Sequence, residues 1–498
     1  MKTTEEIERK YEIDEKTVLP PLGEIATIVD GGAADLVAEY FDTPGGDLAA
    51  HLVVLRRRRG GADEGWHIKL PTADGRQELH WPLTDGEPPA EVLALVLGIV
   101  RDRDLGVIAK LNTRRTMLRL VAGNGDELVE VADDVVRASD TATGILRIWR
   151  EWEVELLGQA PTSSTERAAL FGAIEERLVA AGATPAASGS KLASALGRTS
   201  LAVHATPPSL DRSSPGAAVL GLALSILVRE LVEIDSRVRR NEPDSVHVFR
   251  TRVRRIRSLF ASYRHVFDRA VTDSIRSELQ HLGAVLGTAR DAEVMCERAR
   301  SLVADHDFVE AAAGDVLAGV WDAAYLEAHA KVVEELSGVR YFRLLDSLDE
   351  FVARPALVPT GLAAASDLVP VALDAELSRV LRRAKRARSA ASDEERIALL
   401  HETRKAAKRL RYAAEVVSYG PAGVFGKRAR RLASAAEAVH DLLGEHRDSV
   451  LMQDYLRRAA PGSDHAFSYG VLFEVERHSA ALCLMEYPAA LAELKAFR

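Results

Sequence analysis

Through the first 200 residues, apolar and polar positions alternate with a period of two in short runs. These are EIERKYEI (6–13), LVAEYFDT (36–43), LVVLRRRR (52–59), GWHIKLP (65–71), RQELHWPL (76–83), TRRTMLRLV (113–121), ELVEVADDVV (127–136) and LRIWREWEVELL (146–157). That period predicts strands with two unlike faces. Gly, Pro, Asp and Asn clusters separate the runs, including NGD at 124–126, a hairpin-turn signal. Helical periodicity interrupts at about 87–100 and 164–182, and beyond about 215 it takes over entirely. Between the two textures, HATPPSLDRSSPG (204–216) reads as a linker. The expectation is multidomain, α+β and all-α: an α+β domain over 1–203, a linker over 204–215 and a helical domain over 216–498.

The polar faces of the strands are charged. Alternation places Glu6, Glu8, Lys10 and Glu12 on one face, opposite Ile7, Arg9, Tyr11 and Ile13. Glu151, Glu153 and Glu155 alternate with Trp152, Val154 and Leu156, Arg56 shares a face with Arg58, and Arg76 shares one with Glu78. A single strand of this kind is ordinarily a half-exposed one. The recurrence in several strands suggests a sheet closed around a charged cavity, with helices over its apolar outside. Carboxylates suit hard divalent cations, and arginines and lysines suit phosphate oxygens. Together they describe metal-assisted phosphoryl chemistry. No P-loop, HExxH or GxSxG competes.

Glu6-Ile7-Glu8-Arg9-Lys10 resembles the ExExK motif of the CYTH family, the triphosphate tunnel metalloenzymes. YFDT (40–43), LRRR (55–58), IKL around Lys69, GRQE (75–78), ADD (132–134), EWEVEL (151–156) and SK (190–191) follow in the family's order. The resemblance implies an eight-stranded antiparallel β tunnel with flanking helices that binds a triphosphate. It places Glu6, Glu8, Glu153 and Glu155 in the role of ligands to Mg²⁺ or Mn²⁺. It places Arg56, Arg58, Lys69, Arg76 and Lys191 on the phosphates, and Lys10 against phosphate or the attacking water as the catalytic residue. A one-residue slip would turn Arg57 and Arg59 inward instead. In KLNTRR either Arg114 or Arg115 faces inward, and Arg114 is preferred.

The helical half contains a repeat. HVFRTRVRRIR (247–257) and HETRKAAKRLR (401–411) align without a gap, pairing His247 with His401, Arg250 with Arg404, Arg254 with Lys408, Arg255 with Arg409 and Arg257 with Arg411. LGTARD (286–291) likewise matches LGEHRD (443–448). On a helix the histidine and three cations of each copy fall in a stripe roughly 80° wide. Like charges so arranged repel by about 0.2–0.5 kcal/mol per pair. A charge run is usually a solvated face, but a solvated face has no reason to recur at matched positions. Two stripes facing one groove would be relieved by a bound polyanion. The Arg290–Asp291 and Arg447–Asp448 pairs are expected to brace the stripes. Over about 215–498 this half resembles the CHAD family, the conserved-histidine α-helical domains. That implies a bundle of two four-helix repeats that binds inorganic polyphosphate through the matched residues.

Composition narrows the alternatives. The formal charge is −9 and aromatics make up 5%, which argues against nucleic-acid binding by the basic helices. Cys296 and Cys483 stand far apart, without zinc or disulfide spacing, as in a cytoplasmic protein. The longest apolar run, 217–228, is about 12 residues, where a membrane span needs about 20. The expectation is therefore a metal-dependent hydrolase of inorganic triphosphate or short polyphosphate, cytoplasmic and associated with polyphosphate granules. The alternatives are a non-catalytic polyphosphate scaffold or sensor, and a tunnel enzyme acting on thiamine triphosphate or ATP.

Overall fold

The structure, a computed structural model, describes residues 2–72, 75–201, 208–306 and 310–498. The chain forms two compact units, Met1–Ala205 and Thr206–Arg498.

The first unit holds one antiparallel sheet of ten strands: β1 (Lys2–Glu6), β2 (Glu8–Ile13), β3 (Thr27–Asp42), β4 (Val54–Arg59), β5 (Gly65–Pro71), β6 (Arg76–Trp81), β7 (Gly106–Val121), β8 (Glu127–Asp140), β9 (Leu146–Leu156) and β10 (Thr184–Pro185). Their order is β1-β6-β5-β4-β3-β7-β8-β9-β2-β10. β1 pairs with β6 and β2 with β9, yet only Ile7 separates β1 from β2. The Ile7 carbonyl accepts from the Leu156 N–H at 3.0 Å, so the N-terminal segment closes the sheet on itself. The count differs from the expected eight because this closing strand is broken at Ile7 and because the two-residue β10 pairs with β2.

Closure sorts the faces. Outside, Tyr11, Trp152 and Val154 pack against Phe171, Ile174 and Leu178 of α4 (Ser164–Ala180), a helix that follows three shorter ones, α1 (Asp47–Ala50), α2 (Ala90–Ala94) and α3 (Leu97–Val100). The Ser163 hydroxyl accepts from the Glu166 N–H and so caps the N-terminus of α4. Leu55, Trp66, Ile68 and Trp81 form a second outer cluster with Val92 of α2 and Val100 of α3. Inside one end, Tyr40, Val54, Leu111 and Val136 meet Leu192 and Ala195 of α5 (Lys191–Ala195). That apolar plug delivers the Lys191 side chain into the tunnel.

The second unit is helical: α6 (Gly216–Arg239), α7 (Ser245–Ser262), α8 (Arg269–Ala304), α9 (Ala311–Leu336), α10 (Val339–Ala353), α11 (Ala365–Arg388), α12 (Asp393–Glu415), α13 (Gly426–Ala459) and α14 (Ala466–Lys495). Helices α6–α9 correspond in order to α11–α14, and α10 has no counterpart. The expected pair of four-helix repeats is thus exceeded by one helix. α10 is kept by its apolar face, from which Phe351 meets Phe260 and Phe267 edge-on at 5.3 and 5.4 Å. The apolar run 217–228 lies in α6, where Val219, Leu220, Leu224 and Leu227 are buried, and no described helix is long and apolar enough to cross a membrane.

Of the expected linker 204–215, residues 204–207 lie outside the described residues. The rest is anchored to the helical unit. Ser214 accepts from the Ala365 N–H at 2.8 Å, Arg212 accepts from Ser366 at 2.8 Å, and the Arg212 guanidinium lies over the Phe425 ring.

Candidate functional site

The tunnel wall is an interlocked set of acids and bases. On the N-terminal strand, Lys10 Nζ pairs with Glu8 at 2.9 Å and with Glu153 across on β9. Glu6 is held by Lys69 of β5 at 2.5 Å. Arg56 reaches Glu78 of β6 at 3.0 Å, and Arg76 stands on the same face of that strand. Arg56 and Arg58 face inward, the latter paired with Asp63. Arg57 lies over Trp66 and pairs with Glu39, and Arg59 pairs with exposed Asp85, so the register has not slipped.

On β7 the preferred assignment is corrected. Arg114 points to solvent beside Asp35, whereas Arg115 faces inward, pairing with Asp134 at 2.7 Å and with Glu153. The cause is register: Arg115 stands opposite Asp134 of β8, on the face that carries Ala132 and Val136, while Arg114 stands opposite outward Val135. The sequence reading also left Asp134, Glu151, Glu78 and His67 without a role. Asp134, Glu151 and Glu153 bring oxygens within 4.8 Å of one another, close enough to hold a metal ion. Here Lys191 fills the space between them, at 2.9 Å from Asp134 and 2.7 Å from Glu151, with Glu153 its third partner. His67 is buried between Glu78 (3.0 Å) and the Asp63 carbonyl (2.9 Å).

The carboxylates at the closing strand are less evenly matched. Burial and the neighbouring Glu6 and Glu8 push Glu155 up to about 7. Burial also opposes ionisation of Glu8, but Lys10 and Lys69 outweigh it and hold Glu8 well below the usual range. Glu6 Oε2 is buried without a hydrogen-bond partner. An orphaned carboxylate oxygen beside a strained acid is the donor set a divalent cation would complete, so Glu6, Glu8 and Glu155 fit the group implied by the resemblance.

In the helical unit, α7 and α12 face one cavity of about 770 Å³. His247, Arg250, Arg254 and Arg257 line it from one repeat, and His401, Arg404, Lys408 and Arg409 from the other. Ser392 caps α12 by accepting from the Glu395 N–H at 3.2 Å. The two Arg-Asp motifs meet here, with Asp291 3.4 Å from Arg250 and 3.8 Å from Arg447. Two expected members are outside the lining. Arg255 and Arg411 both turn to Glu415, each at 2.7 Å, because that acid lies one turn beyond Arg411. Arg409 is shared with buried Glu376 at 2.7 Å.

Acids are scarce around the remaining cations. Among the described residues Arg254, Arg404 and Lys408 form no ion pair, and the Arg250 and Arg404 Nε atoms are buried without a hydrogen bond. Both of these arginines lie against a glycine: a Cβ on Gly287 would stand 3.4 Å from the Arg250 guanidinium, and one on Gly444 3.2 Å from that of Arg404. The repeated Leu-Gly pair in LGTARD and LGEHRD was the signal for this close approach. Burial lowers the His247 and His401 imidazoles, which favours their neutral forms, and pushes Lys408 down to about 6 with help from Arg254, Arg404 and Arg250.

Comparison with known proteins supports a two-family reading. The CYTH domain profile matches residues 4–178 and the CHAD domain profile residues 222–457. The chain is 37% identical over 516 residues to an uncharacterized protein of Mycobacterium tuberculosis (strain ATCC 25618 / H37Rv), covering 98% of this chain and 96% of that one. The same figures hold for its counterpart in strain CDC 1551 / Oshkosh. Among solved structures, PptA from Streptomyces chartreusis is 20% identical, covering 56% of this chain and 99% of PptA at a TM-score of 0.45. A putative adenylate cyclase from Bacillus halodurans is 20% identical, covering 39% and 97% at 0.28.

Proposed function

The chain belongs to the family in which a CYTH domain precedes a CHAD domain, and from that premise we propose that it hydrolyses inorganic triphosphate or short polyphosphate in the tunnel and holds long-chain polyphosphate in the helical groove. The observation that carries the first half is the pairing of Lys10, Lys69, Arg56, Arg115 and Lys191 with acids inside a closed sheet. A triphosphate entering the tunnel takes the place of those acids on the bases. Arg56, Arg58, Lys69, Arg76, Arg115 and Lys191 then clamp its oxygens and fix the chain in line for attack. Glu6 and Glu8, so released, would hold Mg²⁺ or Mn²⁺ together with Glu155, with Glu153 next to them on β9. Bound there, the ion would neutralise phosphate charge and lower the pKa of a coordinated water. Burial brings Lys10 down to about 8, so it can give or take a proton near the reacting oxygens at physiological pH.

The groove supports the second half. It gathers many cations around two carboxylates, Asp291 and Asp448, a balance that holds an anion, so binding without turnover is the chemistry assigned to it. We place the protein in the cytoplasm, on polyphosphate granules where these exist. The test is phosphate release from inorganic triphosphate, thiamine triphosphate and ATP with Mg²⁺ or Mn²⁺. Release from triphosphate alone supports the proposal, cyclic AMP from ATP or preference for thiamine triphosphate overturns the substrate, and no turnover leaves a polyphosphate scaffold.

A further inference from the structure

Lys408 differs from its repeat partner in the one property that matters for chemistry. The matched position holds Arg254, whose guanidinium keeps its charge and is a poor nucleophile; an amine can lose its proton and attack. Lys408 is faced by Arg250 and Arg254 from α7, by Arg404, Arg411 and Tyr412 from its own helix, and by His440 and Asp441 from α13. Asp441 is held by His440 Nδ1 at 2.8 Å, and the ammonium position lies 5.7 Å from the Tyr412 ring centre. Lys405, one turn earlier on α12, offers a built-in control. It is exposed and paired with Glu402 at 3.1 Å.

We propose that Lys408 is an acylation site for acyl phosphates, which the groove would hold by their phosphoryl end, and that acylation switches off polyanion binding. The proposal rests on the reading of the groove as a phosphate site. In the step, the Lys408 nitrogen attacks the acyl carbon and the bond from that carbon to the phosphate oxygen breaks. Phosphate leaves with the bond's electrons and takes the amine proton, giving an amide and hydrogenphosphate. No oxidant or metal enters. At pH 7.5 an ordinary lysine is roughly 0.1% free amine, whereas one brought to about 6 is mostly free. Lower basicity costs nucleophilicity by about half of the pKa difference on a logarithmic scale, about two powers of ten, if amines follow the slope known for thiolates. A net advantage of about tenfold remains, before any concentration of the reagent by the arginines.

The experiment treats the full chain with acetyl phosphate at pH 7.5 and follows each lysine by mass spectrometry at short times. Lys408 is expected to acetylate at least about tenfold faster than Lys405, with long-chain polyphosphate protecting Lys408 more strongly than Lys405, which lines the same cavity but is exposed. Arg254→Ala should slow Lys408 towards the rate of Lys405, since it removes a phosphate contact and a charge that favours the free amine. Equal rates at Lys405 and Lys408 overturn the proposal, even if polyphosphate binds. Fast modification of Lys408 that inorganic phosphate blocks and polyphosphate does not would keep the proposal and overturn the polyphosphate reading.

Discussion

The tunnel and the groove are both lined by cations, and they differ in what stands beside each one. In the tunnel Lys10, Lys69, Arg56, Arg115 and Lys191 all have a carboxylate partner, several of them buried. In the groove Arg254, Arg404 and Lys408 have none among the described residues, and Asp291 is spread thinly over Arg250 and Arg447. Buried ion pairs are costly to form and expensive to break on one side only. A site built from them exchanges partners when substrate arrives, and the freed acids can serve a metal. A site built from unpaired cations stores repulsion that only an anion relieves. The first arrangement suits catalysis, the second retention.

The largest effect should come from breaking the tunnel's acids. Glu6→Gln with Glu8→Gln should abolish divalent-dependent phosphate release, a loss of at least about 10³-fold, while polyphosphate affinity stays as it was. Phosphate release assayed beside polyphosphate titration checks both. Breaking the groove's cations comes next. Replacing Arg254, Arg404 and Lys408 with Ala should cost about 3–6 kcal/mol of polyphosphate binding, at roughly 1–2 kcal/mol per charge-assisted contact. Salt should weaken the intact site steeply through counterion release, and triphosphate turnover should be unaffected. Isothermal titration at two salt concentrations reads this.

A smaller effect sharpens the contrast through pH. Lys408 is brought down to about 6 in the ligand-free groove, and a bound polyanion favours its charged form. The bound state therefore takes up a proton above pH 6, and affinity should fall as pH rises, by at most about tenfold per unit. Lys408→Arg should flatten the profile between pH 7 and 9. A titration series across that range decides it. The smallest effect concerns the glycines under the arginines. Gly444→Ala should stabilise α13 by up to about 1 kcal/mol from helix propensity, yet weaken polyphosphate binding a few-fold by displacing the Arg404 guanidinium. Thermal melting and titration of the same variant give the two signs.

Much of this contrast was legible in the sequence, and the losses have physical causes. Period-two alternation carried the inward faces of β2, β4 and β9, because one face meets helices and the other meets charge. It failed at Arg114 and Arg115, where TRRT offers charge on both faces and only the pairing with β8 decides. The break at Ile7, which lets one strand pair with both β6 and β9, leaves no mark in composition. In the helical unit the internal repeat located the groove, since matched positions survive where chance charge would not. It overreached at Arg255 and Arg411, because Glu415 is a tertiary partner whose reach no stripe reveals. The acids Asp134 and Glu151 were visible in the alternation but had no partner assigned until Lys191 arrived from α5, about forty residues later in the chain.

The most direct test is a paired assay of two variants of the full chain. Glu6→Gln/Glu8→Gln and Arg254→Ala/Lys408→Ala would each be measured for Mg²⁺- or Mn²⁺-dependent phosphate release from triphosphate and for polyphosphate affinity. The account predicts that the first variant loses turnover and keeps binding, and that the second loses binding and keeps turnover. Loss of both activities in either variant, or of neither, would contradict the division of labour between the acid-paired tunnel and the acid-poor groove.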